Sequence, residues 1–144
     1  MKANELMIGD WVYAIDINGE KHPCRANNLE YDYTNKRGEF CVDFYGTGYE
    51  AEWPDVAFNV VEPIPITPEI LEKNGFRQDP KSRSRKSHQI ITNDVYISWW
   101  KGRLNIMYKP FVGHSTNHIN CDGKYVHELQ HALRLCGIDK EIVV

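Results

Sequence analysis

The chain has 144 residues, of which 42% are hydrophobic and 26% charged, and its formal net charge is −3. This length suffices for one ordinary domain or two very small ones, and the composition excludes a disordered chain. The first residues carry Glu5 and Asp10 where a secretory signal would be apolar, and no later run approaches a membrane-spanning length. We therefore expect a cytoplasmic protein without membrane contact.

The first 66 residues predict a series of short strands. "WVYAIDINGEKH" places Asn18-Gly19 between two strand-like segments, and this dipeptide tolerates the positive φ values of a hairpin turn. "EFCVDFYG" alternates as a half-buried strand does, and "EAEWPDVAFNVVEPIPI" is a further extended run whose prolines suit sheet edges. Four or five such strands predict a small antiparallel β-barrel or roll of the SH3-like kind over residues 1–66.

Residues 67–144 predict an α+β region. In "TPEILEKNGF", Thr67 is placed to cap a short helix, Pro68 suits its first turn and Gly75 can end it. "HQIITNDVYISWW" and "RLNIMYK" alternate as strands around a Lys101-Gly102 turn, and "HINCDG" adds a third short strand. A final helix is expected from about residue 123 to 136, with Asp122 as its N-cap. The whole chain is thus predicted to be α+β, with the SH3-like barrel followed by a helix, a hairpin sheet and a C-terminal helix.

The two halves differ in charge. Residues 1–66 contain 5 basic and 12 acidic residues, a net −7, whereas residues 67–144 contain 12 and 8, a net +4. A polyanionic partner is therefore expected to meet the second half. The four cysteines Cys24, Cys41, Cys121 and Cys136 form no closely spaced pair, which favours reduced thiols over disulfides.

Three segments carry a resemblance to a known group of proteins: "NELMIGDWVY", "VEPIPITPEILEKNGF" and "KYVHELQHALRLCG". Together they resemble a family of small uncharacterised proteins from prophages and other mobile elements of Bacteroides-type gut bacteria. The resemblance implies a cytoplasmic bacterial protein of phage or mobile-element origin without an assigned catalytic activity. It implies no particular functional residue.

His127, Glu128 and His131 have the H-E-x-x-H spacing of zinc metalloproteases. In that chemistry the two histidines hold the metal from one helix face, the glutamate activates a water molecule, and a third ligand comes from elsewhere. The residues after His131 contain no further histidine, which leaves only Glu141 or the upstream His114, His118 and Cys121.

A helical wheel favours a different interpretation of the same motif. Tyr125, Val126, Leu129, Ala132, Leu133 and Cys136 gather on one side. His127 and His131 fall opposite this apolar stripe, where a terminal helix usually meets water. We therefore predict that the motif is the solvated face of the last helix, with no bound cofactor. A zinc-binding loop formed by His114, His118 and Cys121 with His127 is a weaker alternative, because that spacing is not an established one.

The segment "KSRSRKSH" concentrates Lys81, Arg83, Arg85 and Lys86 in an expected loop. Such a loop either follows nucleic-acid phosphates or only keeps the protein soluble. Trp99 and Trp100 are consecutive on an expected strand, so they cannot both point inward, and one of them is the leading candidate for an interface residue. The many aromatic residues of the first half fill a core or bind a peptide.

The sequence contains no phosphate-binding glycine loop and no dinucleotide-binding fingerprint. It therefore favours a non-enzymatic adaptor or accessory protein with a protein partner. The alternative is a nucleic-acid-binding accessory protein that uses residues 81–86, and a zinc-dependent hydrolase comes third.

Overall fold

The computed structural model describes residues 5–32, 39–46, 52–57, 60–80, 87–92, 95–108 and 117–144. The chain divides into two compact units, Met1–Ile64 and Pro65–Val144. The sequence analysis placed this boundary after Ile66. Each unit contains one five-stranded antiparallel sheet, and the two helices of the described residues belong to the second unit. The predicted α+β fold class is therefore confirmed.

The first sheet has the strand order β4-β3-β2-β1-β5. Its strands are β1 (Trp11–Ile15), β2 (Lys21–Asp32), β3 (Glu39–Gly46), β4 (Glu52–Ala57) and β5 (Val61–Pro63). The pairing of β2 with β3 shifts between Ala26 and Asn28, and such an irregularity bends a long strand.

The hairpin predicted at Asn18-Gly19 joins β1 to β2, but its connection is longer than two residues. The register pairs Ile15 with Lys21, so residues 16–20 form the turn. Gly19 adopts a φ of 82°, which explains why a glycine stands there. The N–H of Asp16 donates to the carbonyl oxygen of Glu20 at 3.0 Å and closes the turn.

A small antiparallel β-barrel or roll of the SH3-like kind was predicted for residues 1–66, and the described residues do not form a closed barrel. β4 and β5 are the two edges of the first sheet, and no pairing joins them in the described part of this unit. β5 is short because Pro63 and Pro65 lack the N–H that a longer ladder needs. The described strands of the first unit therefore form an antiparallel sheet with two edges, and the SH3-like character is not confirmed.

The buried cluster of the first unit consists mainly of small side chains on neighbouring strands. Val12 lies directly opposite Cys24, and Ala14 lies opposite Val61 on the other side of β1. The members of the cluster are Leu6, Val12, Ala14, Cys24, Ala26 and Val61.

The second unit begins with the predicted short helix, α1 (Pro68–Lys73). The Thr67 hydroxyl accepts a hydrogen bond from the Ile70 N–H at 3.3 Å, as an N-cap does. Gly75 follows the helix with a φ of 77°, the left-handed conformation that glycine adopts most easily.

The second sheet is a continuous meander with the order β10-β9-β8-β7-β6. Its strands are β6 (Arg77–Gln78), β7 (His88–Ile91), β8 (Val95–Trp100), β9 (Arg103–Tyr108) and β10 (Asn117–Asp122). The predicted turn at Lys101-Gly102 joins β8 to β9, and both of its residues have positive φ, 48° and 76°. This is the backbone of a two-residue hairpin turn.

The last helix, α2 (Val126–Leu135), starts later than predicted. Asp122 is the last residue of β10, and Tyr125 is the N-cap, so the expected capping role of Asp122 is wrong. The strand continues through Asp122 because it pairs with Arg103 of β9. Gly137 follows the helix with a φ of 67°, in agreement with the expected C-terminal stop.

The first helix and the residues just before the second helix contact the same side of the second sheet. His88 and Trp99 are cross-strand partners and project from the same face. The Nε2 atom of His88 is 3.4 Å from Oε1 of Glu72 on α1, and the indole N–H of Trp99 donates to the Gly123 carbonyl just before α2. The largest buried side chains of this unit are Leu71, Phe76, Ile97, Leu104, Ile106, Leu129, Leu133 and Ile142.

Among the described residues, neither helix is long and apolar enough to cross a membrane.

Candidate functional site

The glutamate of the H-E-x-x-H motif caps α2. Oε2 of Glu128 accepts hydrogen bonds from the backbone N–H groups of Lys124 at 2.7 Å and Tyr125 at 3.0 Å. These groups precede the first helical turn, and a carboxylate there also interacts favourably with the helix dipole. Glu128 is therefore held by the helix start, whereas the general base of a zinc hydrolase must face a metal-bound water.

His127 is buried, with an exposed fraction of 4%. The prediction that both histidines lie on a solvated face is therefore wrong for this residue. The Tyr125 ring stacks on His127 with 5.8 Å between centroids and 8° between planes, and the His131 ring meets it edge-on at 5.8 Å. A helical wheel marks the apolar stripe, but it does not show that neighbouring aromatic rings cover part of the opposite side.

The proposed third zinc ligands do not converge on this pair. Within the described part of the chain, His127 and His131 do not form a group of three ligand atoms with any other histidine, cysteine or carboxylate. His118 and Cys121 are three residues apart on β10, so they project from opposite faces of the sheet. Glu141 is exposed, and His114 lies outside the described residues.

Burial, together with the nearby carboxylates of Glu128 and Asp122, raises the pKa of the Cys121 thiol. In the part of the chain that the structure describes, the geometry brings no third ligand to His127 and His131 and does not bring His118 and Cys121 together. The described residues therefore support neither the zinc hydrolase nor the zinc-binding loop.

A different set of metal-binding residue types lies in the β1–β2 turn. Ligand atoms of Asp16, Glu20 and His22 all lie within 4.8 Å of one another. The Asp16 carboxylate is already used by the turn: Oδ1 accepts from the N–H groups of Asn18 at 2.9 Å and Glu20 at 2.8 Å, and Oδ2 lies 3.2 Å from Nε2 of His22. This cluster is therefore explained by the closure of the hairpin.

Lys81, Arg83, Arg85 and Lys86 lie outside the described residues. The base of the connection that carries them is described: the N–H of Asp79 donates to the carbonyl oxygen of Ser87 at 2.9 Å. Because β7 starts with His88 opposite Trp99, the connection begins and ends at the end of the sheet where β8 finishes. The nucleic-acid-binding role of the four residues stays a prediction.

The structure separates the two consecutive tryptophans. Trp99 points to the helix side of the sheet and donates its indole N–H to Gly123. Trp100 points to the other side, where its side chain is 45% exposed and the Lys101 ammonium lies 5.0 Å from its ring centroid. Trp100 is thus the tryptophan at the surface, and its role as an interface residue stays a prediction.

The side of the second sheet away from the helices forms one broad surface, here called the open face. On β8 and β9 the alternation is clear, because Ile97, Leu104 and Ile106 are at most 2% exposed whereas their outward neighbours are not buried. The open face consists of Arg77, Gln89, Ile91, Tyr96, Ser98, Trp100, Arg103, Asn105, Met107, His118, Asn120 and Asp122. None of these side chains is buried.

The strand register arranges these side chains in three rows across the sheet. The middle row is polar and runs Arg77, Gln89, Ser98, Asn105 and Asn120. Within it, Nδ2 of Asn105 donates to Oδ1 of Asn120 at 3.0 Å. Amides and hydroxyls both donate and accept hydrogen bonds, so this row can pair with a polar ligand edge.

The two flanking rows carry the larger side chains. One runs Ile91, Tyr96, Met107 and His118, and the other runs Trp100, Arg103 and Asp122. The polar row therefore lies between an apolar row and a row that begins with an exposed indole. Rings beside hydrogen-bonding groups are typical of binding surfaces.

Positive charge gathers at the Trp100 end of the open face. Lys101 lies in the β8–β9 turn, Arg103 follows the turn, and both side chains are exposed. The Lys124 side chain lies beside the same turn, since a Cβ built on Gly102 would be 3.0 Å from its Cγ. Arg77 adds a further cation at the β6 edge, and neither arginine takes part in an ion pair with another described residue.

The sequence analysis missed the polar row and the cations around the turn. The alternation of "VYISWW" and "RLNIMYK" assigns faces within each strand, but the rows exist only once the register between strands is known. Lys101 and Arg103 lie beside Trp100 in the sequence, but two cations are a weaker sequence signal than the four at residues 81–86.

Comparisons with protein-family models, with curated proteins and with solved structures gave no match for this chain.

Proposed function

We propose that the protein is a non-enzymatic accessory protein of a prophage or mobile element, which acts by binding a macromolecular partner on the open face. One observation carries the proposal. One side of β8 and β9 buries Ile97, Leu104 and Ile106, whereas the other side presents an unburied surface centred on a polar row and an exposed Trp100. Surfaces that combine large rings with hydrogen-bonding groups are commonly recognition sites.

The residues that suggested catalysis have structural roles instead. Glu128 closes the start of α2, and His127 is packed between two aromatic side chains. These contacts explain the H-E-x-x-H motif as part of the helix and its packing. The reaction that the motif suggested has no other support among the described side chains.

We keep the SH3-like roll as a proposal for the first unit. A meander of four strands whose fifth strand returns to β1, with a bend in the long β2, supports it. Such rolls commonly bind peptides. The adaptor interpretation would then give the protein two binding surfaces, one in each unit.

The test is a differential capture from cells of the natural host. Tagged wild-type protein is compared with Trp100→Ala and with Leu135→Ala, which removes a side chain that is 82% exposed on α2. Bound proteins and nucleic acids are identified with and without nuclease treatment. We expect a specific partner that is retained by wild type and by Leu135→Ala and is lost from Trp100→Ala.

If the Trp100→Ala protein captures the same partner in the same amount, the open face is not the binding surface and the proposal fails. Thermal unfolding serves as the folding control. An exposed side chain is expected to change stability by no more than about 0.5 kcal/mol.

A second candidate function, the binding of an anionic partner such as a nucleic acid, is favoured by the positive charge at the Trp100 end of the open face. Lys101, Arg103 and Lys124 surround one turn, whereas Asp122 is the only acidic side chain of the open face as described above. This imbalance favours an anionic partner over an average protein surface.

A further inference from the structure

We infer that the open face binds single-stranded nucleic acid, with Trp100 stacking on a base and the neighbouring cations contacting the phosphates. The inference rests on the proposed function, because it names the class of partner that the same surface takes. It differs from the role expected for residues 81–86, because it assigns the contact to the sheet.

The aromatic side chains of the open face fit unpaired bases. Trp100 is 45% exposed, and Tyr96 projects from the same face four residues earlier on β8. At a rise of about 3.3 Å per residue, the two rings are roughly 13 Å apart along the strand. Exposed rings on a sheet are the stacking platforms of single-strand binders, since every base has a face on which an aromatic ring can stack.

The charges near Trp100 fit a phosphate backbone. Lys101, Arg103 and Lys124 lie around the β8–β9 turn, and Arg77 lies at the opposite edge of the polar row. Three acidic side chains lie near these four cations: Asp122 on the open face, Asp79 beside β6, and Glu128, whose carboxylate accepts from the Lys124 N–H at 2.7 Å. The excess of cations attracts phosphates, and two arginines can each contact one with two N–H groups.

The polar row fits the edges of bases rather than the outside of a duplex. Gln89, Ser98 and Asn120 offer donors and acceptors on a surface four strands wide, roughly 15 Å at about 4.8 Å between strands, and Asn105 is hydrogen-bonded to Asn120 within it. In a duplex the base faces are stacked and unavailable, so a flat sheet with rings selects unpaired strands. A protein partner is a weaker fit, because protein interfaces are depleted in lysine.

The experiment measures binding of fluorescently labelled 12-residue oligo(dT), oligo(rU) and a mixed-sequence duplex to the full chain by anisotropy, at several salt concentrations. The variants are Trp100→Ala, Trp100→Phe and Arg103→Gln. Lys73→Gln is the matched control, because it removes the same charge from α1 on the helix side of the sheet.

We expect single strands to bind more tightly than the duplex, and Trp100→Ala to weaken single-strand binding on the order of tenfold or more. Trp100→Phe should retain most of the affinity, since it keeps a ring. Arg103→Gln should weaken binding and reduce its salt dependence, whereas Lys73→Gln should change neither. Equal melting temperatures establish that the variants are folded.

Four results would overturn the inference. One is single-strand affinity that Trp100→Ala leaves unchanged, and another is duplex binding as tight as single-strand binding. A third is binding abolished by neutralising Lys81, Arg83, Arg85 and Lys86 but insensitive to both Trp100→Ala and Arg103→Gln, which would assign the contact to that segment alone. If the oligonucleotides do not bind while the captured partner still depends on Trp100, this inference fails and the proposed function stands.

Discussion

Two sets of polar contacts, one from each unit, lie in different surroundings. In the first unit, Lys21 and Glu62 form an ion pair although their side chains are 50% and 45% exposed, and Asp16 closes an exposed turn. In the second unit, Asn74 is only 2% exposed and makes three hydrogen bonds with other parts of the chain. Burial, more than the number of contacts, therefore sets what each of these polar contacts contributes to stability.

Access to water explains why the exposed contacts and the buried contacts contribute differently to stability. At the exposed turn, solvent can replace a lost hydrogen bond, so its net contribution is small. Asn74 lies at the end of α1, where Nδ2 donates to the carbonyl oxygens of Ile70 at 2.7 Å and Val143 at 2.8 Å, and Oδ1 accepts from the Val143 N–H at 3.0 Å. This side chain holds the C-terminal segment against α1, beside the buried Ile142.

The largest effect is expected from Leu104→Ala in the second unit. Leu104 is fully buried on the helix side of β9, so the substitution removes apolar contacts and leaves a cavity. We expect a loss of about 2–5 kcal/mol in the free energy of unfolding. Urea denaturation monitored by circular dichroism measures it.

Asn105→Ala is the matched control, because Asn105 is the next residue on β9 and points to the open face. Its effect should stay within about 1 kcal/mol, since its hydrogen bond to Asn120 is exposed. Equal losses for the two variants would contradict the assignment of a buried and an open side to the second sheet.

An intermediate effect is expected from Asn74→Ala. The substitution removes the side-chain partner of the Val143 N–H and carbonyl groups, whereas the Ile70 carbonyl keeps its hydrogen bond from the backbone N–H of Asn74. A backbone group without a partner costs about 1–3 kcal/mol when water cannot reach it. Because the freed C-terminal segment can become hydrated, we expect a total loss of about 1–3 kcal/mol. Hydrogen exchange should show faster exchange of the Val143 amide.

Asn74→Asp separates the hydrogen bonds from the volume of the side chain. An ionised aspartate can still accept from Val143, but it cannot donate to the two carbonyl oxygens. Asn74→Asp should therefore also destabilise the protein, and the hydrogen exchange of the Val143 amide should become faster. A protein with Asn74→Ala that keeps wild-type stability and exchange would show that the C-terminal segment is held by Ile142 alone.

The fold of the second unit was largely predictable from local signals. Thr67, Pro68 and Gly75 define α1, and the alternation around Lys101-Gly102 gives β8 and β9, because these features depend on residues close in sequence. The docking of Val143 against Asn74 was not predictable, since it joins positions 69 residues apart. In the first unit, the same local signals predicted strands, but they did not determine whether the two edge strands of the sheet pair with each other to close a barrel.

The candidate site was less predictable than the fold. The exposure of one of the two tryptophans follows from strand alternation alone, and Trp100 is the one that is exposed. The burial of His127 and the capping role of Glu128 depend on Tyr125 and on the start of the helix, which lies three residues beyond the expected position. The polar row depends on the pairing of five strands, which no single segment specifies.

The smallest effect is expected from Asp16→Asn in the first unit, and it should depend on pH. The N–H of Glu20, followed by the His22 side chain and the N–H of Asn18, stabilises the carboxylate and lowers the pKa of Asp16 below its usual value of 3.8, although partial burial opposes this shift. A lowered pKa means that the stabilisation is fully present above pH 3.8 and is lost as the pH falls through the folded-state value. We therefore expect wild type to have a higher urea midpoint than Asp16→Asn at pH 7, and the difference to shrink in strong acid.

Glu20→Gln removes a neighbouring carboxylate from the same exposed turn and should show no comparable change with pH. A wild-type advantage that persists unchanged at low pH would mean that the amide distorts the turn, and that the charge of Asp16 contributes nothing to the stability of the hairpin.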